Sequence, residues 1–101
     1  MIKDIFDELQ SNIKIKFANL NLLKQSLVHK SFDHNNNNEK LEFLGDRVLG
    51  LIMSKALLVN YPNEKEGIID KKFANLVNKK TCAEIGMILN LKKYMLIGAS
   101  Y

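Results

Sequence analysis

Cysteine is almost missing from this sequence. Cys82 stands alone among 101 residues, so an intrachain disulfide and a cysteine-based zinc site are both excluded. A reducing, cytoplasmic setting is the expectation that follows. Proline occurs once, at Pro62, tryptophan is absent, and five glycines are scattered without period. Collagen-like, mucin-like and proline-rich linker classes are thereby excluded. Long apolar runs are missing too. The longest apolar-rich stretch, Val48 to Val59, is interrupted by Ser54 and Lys55 and flanked by Arg47 and Asn60. It is too short and too broken to cross a bilayer, so no membrane association is expected. Asp4, Asp7 and Glu8 stand where a secretory signal needs an apolar core.

What is present is ordinary globular material. Hydrophobic residues make up 47% and charged residues 26%, enough for one domain that would bury a little over roughly 60% of its unfolded surface. The net charge of +4 hides a gradient. Residues 1–38 carry five Lys and four acids, residues 39–70 four Lys/Arg and six acids, and residues 71–101 six Lys and one acid. A basic end attracts polyanions such as nucleic acid. With fourteen Lys and one Arg in the chain, a solvated lysine surface explains the same numbers. Lys71, Lys72, Lys79, Lys80, Lys92 and Lys93 are the candidates for phosphate contact under the first reading.

Apart from Ile13-Lys14-Ile15-Lys16-Phe17, a short extended link or helix end, the hydrophobic period is helical. Ile2, Ile5, Phe6 and Leu9 predict a first amphipathic helix. Leu20, Leu23, Leu27 and Val28 predict a second, and a third runs from about Glu39 to about Asn60. A fourth begins near Glu66 with Ile69, Phe73, Leu76 and Val77 inward. A fifth begins at Thr81, where Thr81-x-x-Glu84 reads as a capping box. It places Cys82, Ile85 and Leu89 on its inner face and ends at Asn90. Leu91 to Ile97 add a short helical turn. Asn35 to Asn38 form a polar loop whose last residue is placed to cap the third helix. The fold class is all-α. Cys82, Met53, Met87 and Met95 are expected in the core. His29 reads as a hydrogen-bonding helix-end residue and His34 as a solvated one.

The third helix carries the chemistry. Glu39, Glu42 and Asp46 fall at i, i+3 and i+7, on one face. From Leu41 to Met53 nearly every neighbour is apolar or small, which predicts a largely buried helix. Buried carboxylates need a compensating cation. Magnesium typically takes one or two of them plus water, and such a site can ready water for attack on a phosphodiester. The other reading is a solvated stripe paired with lysines of neighbouring helices. Gly45, costing about 1 kcal/mol inside a helix, suggests close approach by another backbone or a partner chain.

The run Asn38-Glu39-Lys40-Leu41-Glu42-Phe43-Leu44-Gly45-Asp46 resembles the signature of the ribonuclease III family, Asn-Glu-Arg-Leu-Glu-Phe-Leu-Gly-Asp, with one conservative change at Lys40. Three further stretches fall in family order. They are Ser26-Leu27-Val28-His29-Lys30-Ser31, then Glu66-Gly67 with Ala74-Asn75-Leu76-Val77, then Leu91 to Gly98. The resemblance implies a dimeric, all-α, magnesium-dependent (or manganese-dependent) endonuclease of double-stranded RNA. Such an enzyme leaves 5′-phosphate and 3′-hydroxyl ends and serves in rRNA and mRNA processing. It further implies that Glu42 and Asp46 are metal ligands, that Glu39 and Glu66 are supporting catalytic acids, and that Phe43 and Leu44 lie near the dimer contact. A non-catalytic, ribosome-associated module of the same family is the rival implication. Four retained acids argue against it.

Two departures from the family pattern stand out. Its Ser-x-x-Arg-Ala reads Asp70-Lys71-Lys72-Phe73-Ala74 here, with Phe73 in place of the arginine. Its second acidic motif, Asp-x-x-Glu-Ala-Ile-Gly, does not follow Gly98. Residues 1–101 are accordingly read as a partial catalytic domain, truncated on its C-terminal side and without a double-stranded-RNA-binding domain. That polypeptide alone is expected to be inactive.

Overall fold

A computed structural model describes residues 4–99. Five α-helices follow one another: α1 (Ile5–Ile13), α2 (Leu20–Ser26), α3 (Glu39–Asn60), α4 (Glu66–Leu76) and α5 (Lys79–Ile88), then a 3₁₀ turn at Leu91–Tyr94. β-pairing among the described residues is limited to one parallel bridge between Val28 and Leu96. The all-α expectation holds. Ile2, assigned to the first helix, lies outside the described residues.

Each boundary has a local cause. Asp4 caps α1 by accepting from the Phe6 amide at 2.8 Å. Lys14 then turns left-handed with φ 60° and closes the helix against Gln10. Asn19 caps α2 through the amides of Asn21 and Leu22. α5 stops where Asn90 enters the left-handed region at φ 53°, a conformation asparagine tolerates.

Two predicted caps are corrected. Asn38 makes no side-chain cap to α3. Asn37 does, accepting from the Glu39 amide at 3.1 Å. Asn37 can do so because the loop is built rather than loose. Asp33 accepts from the Asn35 and Asn36 amides, both at 3.0 Å, and Asn37 donates to the carbonyls of Asp33 and His34. Asn38 is turned back on α2, donating its side-chain amide to the Ser26 carbonyl. Likewise α5 starts at Lys79, two residues before Thr81. Asn78 is its cap and accepts from the Thr81 amide at 2.8 Å. With Asn78 accepting from the Thr81 amide, Thr81 already lies in the first turn of the helix, so its own amide is a donor being capped and its hydroxyl is not the cap.

The core is small and sits at one end. Leu9, Leu23, Leu27 and Tyr94 form it, with Phe6, Ile13, Leu20, Leu91 and Met95 packed against it. The Tyr94 hydroxyl accepts from the Asn12 side-chain amide at 2.8 Å, and Lys93 pairs with Glu8 at 2.6 Å. Helix α3 extends away from this core and packs on α4. Leu57 is its one buried residue.

The burial expected of α3 is therefore wrong. Phe43, Leu44, Leu51 and Ile52 are 61%, 58%, 73% and 58% exposed. Cys82 is exposed as well, and Met87 is 80% exposed. Both were expected inside, and helical periodicity marks a face without saying whether anything covers it. Met53 is half-buried, and Met95 packs against the core as expected. The molecule exposes 8443 Å², where a compact protein of 11.6 kDa exposes roughly 5800 Å². Burial reaches about half of the unfolded surface on the same scaling, short of the expected 60%. The radius of gyration of 16.4 Å likewise exceeds the ~13 Å of a compact domain this long.

Stability should accordingly be concentrated around Leu9. Leu9→Ala is expected to cost about 2–5 kcal/mol in urea unfolding. Met87→Ala should change it by less than about 0.5 kcal/mol. Equal effects would show that the core lies elsewhere.

Candidate active site

Helix α3 sets out the acids. Its first turn carries Glu39 and Glu42, where the positive end of the helix dipole favours carboxylates. Asp46 follows Glu42 by four residues and so stands beside it. No ion pair reaches Glu39, Glu42, Asp46 or Glu66 among the described residues. The one arginine does not neutralise them. Arg47 folds back on Phe43, donating to its carbonyl at 2.9 Å and stacking 3.7 Å from its ring centroid.

Glu42 and Asp46 line one wall of a cleft of about 610 Å³. Phe73 of α4 and Val77 form its apolar part. Asn78, Lys79 and Cys82 form the opposite wall. Glu66 lines a separate cleft of about 220 Å³ with Ser54, Asp70 and others. Phe73 borders both clefts and divides them. Its ring fills the space over Gly50, where an added Cβ would lie 3.6 Å from Cζ. Glu39 lines neither cleft. Among the described residues, no group of three His, Cys, Asp or Glu is placed to hold a metal ion. The structure thus brings Glu42 and Asp46 together and leaves Glu39 and Glu66 apart from them.

The lysines also separate. Lys79 lines the cleft of Glu42 and Asp46. Lys72 stacks on Tyr61, its Nζ 4.2 Å from the ring centroid. Lys71 and Lys80 are exposed and border neither cleft. Sequence reasoning missed Asn78. Its side chain accepts from Thr81 and donates to the carbonyls of Ala74 and Asn75 at 2.9 and 3.2 Å. It joins the end of α4 to the start of α5 and so sets the far wall. The signal was available, since an asparagine opens a helical run there. Gly45, expected to mark a close approach, has nothing within 4 Å of an added Cβ. Among the described residues, nothing outside its own helix comes within that distance.

A family model described as Ribonuclease-III-like matches residues 19–100. The chain belongs to the ribonuclease III family. The Ribonuclease 3 of Pelagibacter ubique is 59% identical over 90 residues, which cover 89% of this chain and 40% of that protein. The Ribonuclease 3 of Actinobacillus succinogenes is 44% identical over 93 residues, covering 92% and 41%. The chain thus spans about two-fifths of the curated ribonuclease III relatives it matches. Among solved structures, the nuclease domain of ribonuclease III from Campylobacter jejuni is similar at a TM-score of 0.89 and 39% identity, over 93% of this chain and 66% of that one. That structure is described as flexible in a region involved in dimer formation. A crystal structure of the same nuclease domain gives a TM-score of 0.88 and 39% identity, over 98% of this chain and 67% of that one.

Loss of the junction cap should loosen the far wall of this ribonuclease III cleft. Asn78→Ala is expected to cost about 1 kcal/mol in thermal unfolding, the usual worth of an N-cap. The Thr81 amide should exchange faster with solvent deuterium. Unchanged exchange at Thr81 would show that Asn78 does not hold the start of α5.

Proposed function

We propose that the chain is the metal-binding part of a ribonuclease III endonuclease that hydrolyses phosphodiester bonds of double-stranded RNA in the cytoplasm, in rRNA and mRNA processing. The observation that carries this reading is the pairing of Glu42 and Asp46, unneutralised, in one open cleft. A solvated structural stripe would be expected to pair with its lysines, and this one does not.

The donor set fits magnesium or manganese as half a site. Two hard carboxylates one helical turn apart suit a cation that keeps several waters and takes its other ligands from substrate phosphate. When bound, the metal would lower the pKa of an attacking water and offset charge at the phosphate. Glu42 and Asp46 hold their carboxylates outward from one rigid helix, so no loop ordering is needed to form the pair. Glu39 and Glu66 act from the flanks, Glu39 at the start of the same helix and Glu66 across the Phe73 partition. The products on this reading carry 5′-phosphate and 3′-hydroxyl ends. An A-form duplex is recognised chiefly by shape and backbone, consistent with lysines flanking the acids.

The exposed apolar residues Phe43, Leu44, Leu51 and Ile52 support a homodimer formed through α3. Open space over Gly45 supports it too, since a partner helix approaches closely where no side chain intervenes. The likeness to two-thirds of a solved nuclease domain supports reading residues 1–101 as part of a catalytic domain. On that reading the 101-residue polypeptide, with one acidic motif, leaves duplex RNA uncut. Robust magnesium-dependent cleavage that disappears in Glu42→Ala would refute this.

Calorimetric titration of the chain with magnesium tests the pair directly. Weak binding is expected in the parent and none in Glu42→Gln or Asp46→Asn. Loss of one of only two carboxylates should weaken affinity by at least the roughly tenfold seen for second-shell losses. The same isotherm in parent and Asp46→Asn would end the metal assignment.

A further inference from the structure

The cleft of Glu42 and Asp46 has walls of opposite charge. Its α3 wall presents two carboxylates, and its α5 wall presents the Lys79 ammonium. Opposite charges on facing walls ordinarily close into an ion pair, yet Lys79 lies within 4.0 Å of neither carboxylate. The gap between them has a volume of about 610 Å³. That leaves room for a charged group to sit between the walls and satisfy both. A divalent cation held by the pair would neutralise the two carboxylates and turn its open coordination positions to the gap, where they take anionic oxygens, as the Lys79 ammonium does from its side. An anion with oxygens on opposite sides would satisfy both walls, which describes a phosphodiester.

Lys79 is suited to this by its placement. It is the first residue of α5, directly after the Asn78 cap that ties α4 to α5. Its position relative to α3 is thus set by packed helices and not by a free loop. The adjacent Lys80 carries the same charge and borders no part of the cleft. Lys72 is engaged on Tyr61. Charge count alone would make these three equivalent, and the geometry does not. A lysine ammonium acts on phosphate as a compact point charge with three donors.

We propose that Lys79 is the residue that seats the reacting phosphodiester, its ammonium taking a non-bridging phosphate oxygen across the cleft from Glu42 and Asp46. The proposal rests on the metal reading of that pair. Lys79 would thereby fix the register of the duplex on the cleft, a task distinct from general attraction of RNA by surface lysines.

Cys82 supplies the test, because it is the sole thiol and lines the same cleft. Its alkylation by iodoacetamide is followed in the 101-residue chain with magnesium while a short blunt RNA duplex is titrated. Each variant is referenced to its own duplex-free rate. The duplex should protect Cys82 in the parent, and Asp46→Asn should remove the magnesium dependence of that protection. Lys79→Gln should need roughly tenfold more duplex for half-protection, the scale of one lost charge-assisted bond. Lys79→Arg should restore it, and Lys80→Gln should behave as the parent. Half-protection of Lys79→Gln at the parental duplex concentration, with magnesium dependence intact, overturns the role of Lys79 and leaves the metal pair standing. Equal weakening by Lys79→Gln and Lys80→Gln overturns it in the same way, as unspecific charge. Absence of magnesium-dependent protection in the parent overturns the metal reading and the seating role together.

Discussion

Burial of Tyr94 holds the two ends of the chain together, and the remaining geometry follows from it. The ring joins Leu9, Leu23 and Leu27 in the core, and its hydroxyl takes a hydrogen bond from Asn12, 82 residues away in sequence. With the 3₁₀ turn fixed, Leu96 reaches the α2 end, where its amide donates to Leu27 and its carbonyl accepts from His29. The same segment receives the Asn-rich loop, because Asn38 donates its amide to the Val28 carbonyl. That loop caps α3 and sets where Glu39, and thus Glu42 and Asp46, begin. One buried aromatic therefore fixes the phase of the acidic helix from a distance.

The cleft shows how a helical scaffold keeps like charges side by side. Glu42 and Asp46 repel by a few tenths of a kcal/mol when solvated. That cost is small because both face an open cleft, and the helix N-terminus offsets part of it. Had α3 been buried, as its composition suggests, the pair would have required a resident counter-ion to fold. Exposure instead leaves the carboxylates solvated and accessible while the chain folds around a core located elsewhere. Arg47 is kept off them by stacking on Phe43.

Much of this was legible in the sequence, for reasons that can be named. Helices α3 and α4 begin where Glu39 and Glu66 predict, and α3 ends at Asn60 as expected, since a long periodic run bounded by a turn signal leaves little freedom. The pairing of Glu42 with Asp46 follows from i, i+4 spacing alone. The caps were misread because Asn37 and Asn38, or Asn78 and Thr81, compete within one turn, and tertiary contacts decide the winner. Burial was misread on α3 and at Cys82 and Met87 because a hydrophobic stripe specifies a face and not its neighbour. The separation of Glu66 from Glu42 was hidden in the same way. It depends on where the Phe73 ring lodges between α3 and α4, and no spacing rule encodes that.

Gly98 and Gly45 define opposite extremes of mutational tolerance. A Cβ at Gly98 would run into the Ser31 backbone, at the point where the Gly98 amide also donates to the Ser31 hydroxyl at 2.9 Å. Even alanine there would pry the terminal segment from the α2 end and strip the Val28–Leu96 bridge of its support. At Gly45 the same methyl group would meet nothing among the described residues. Selection acting on the isolated fold would hold position 98 fixed and let position 45 drift, so persistence of glycine at 45 would measure a pressure that originates outside the single subunit.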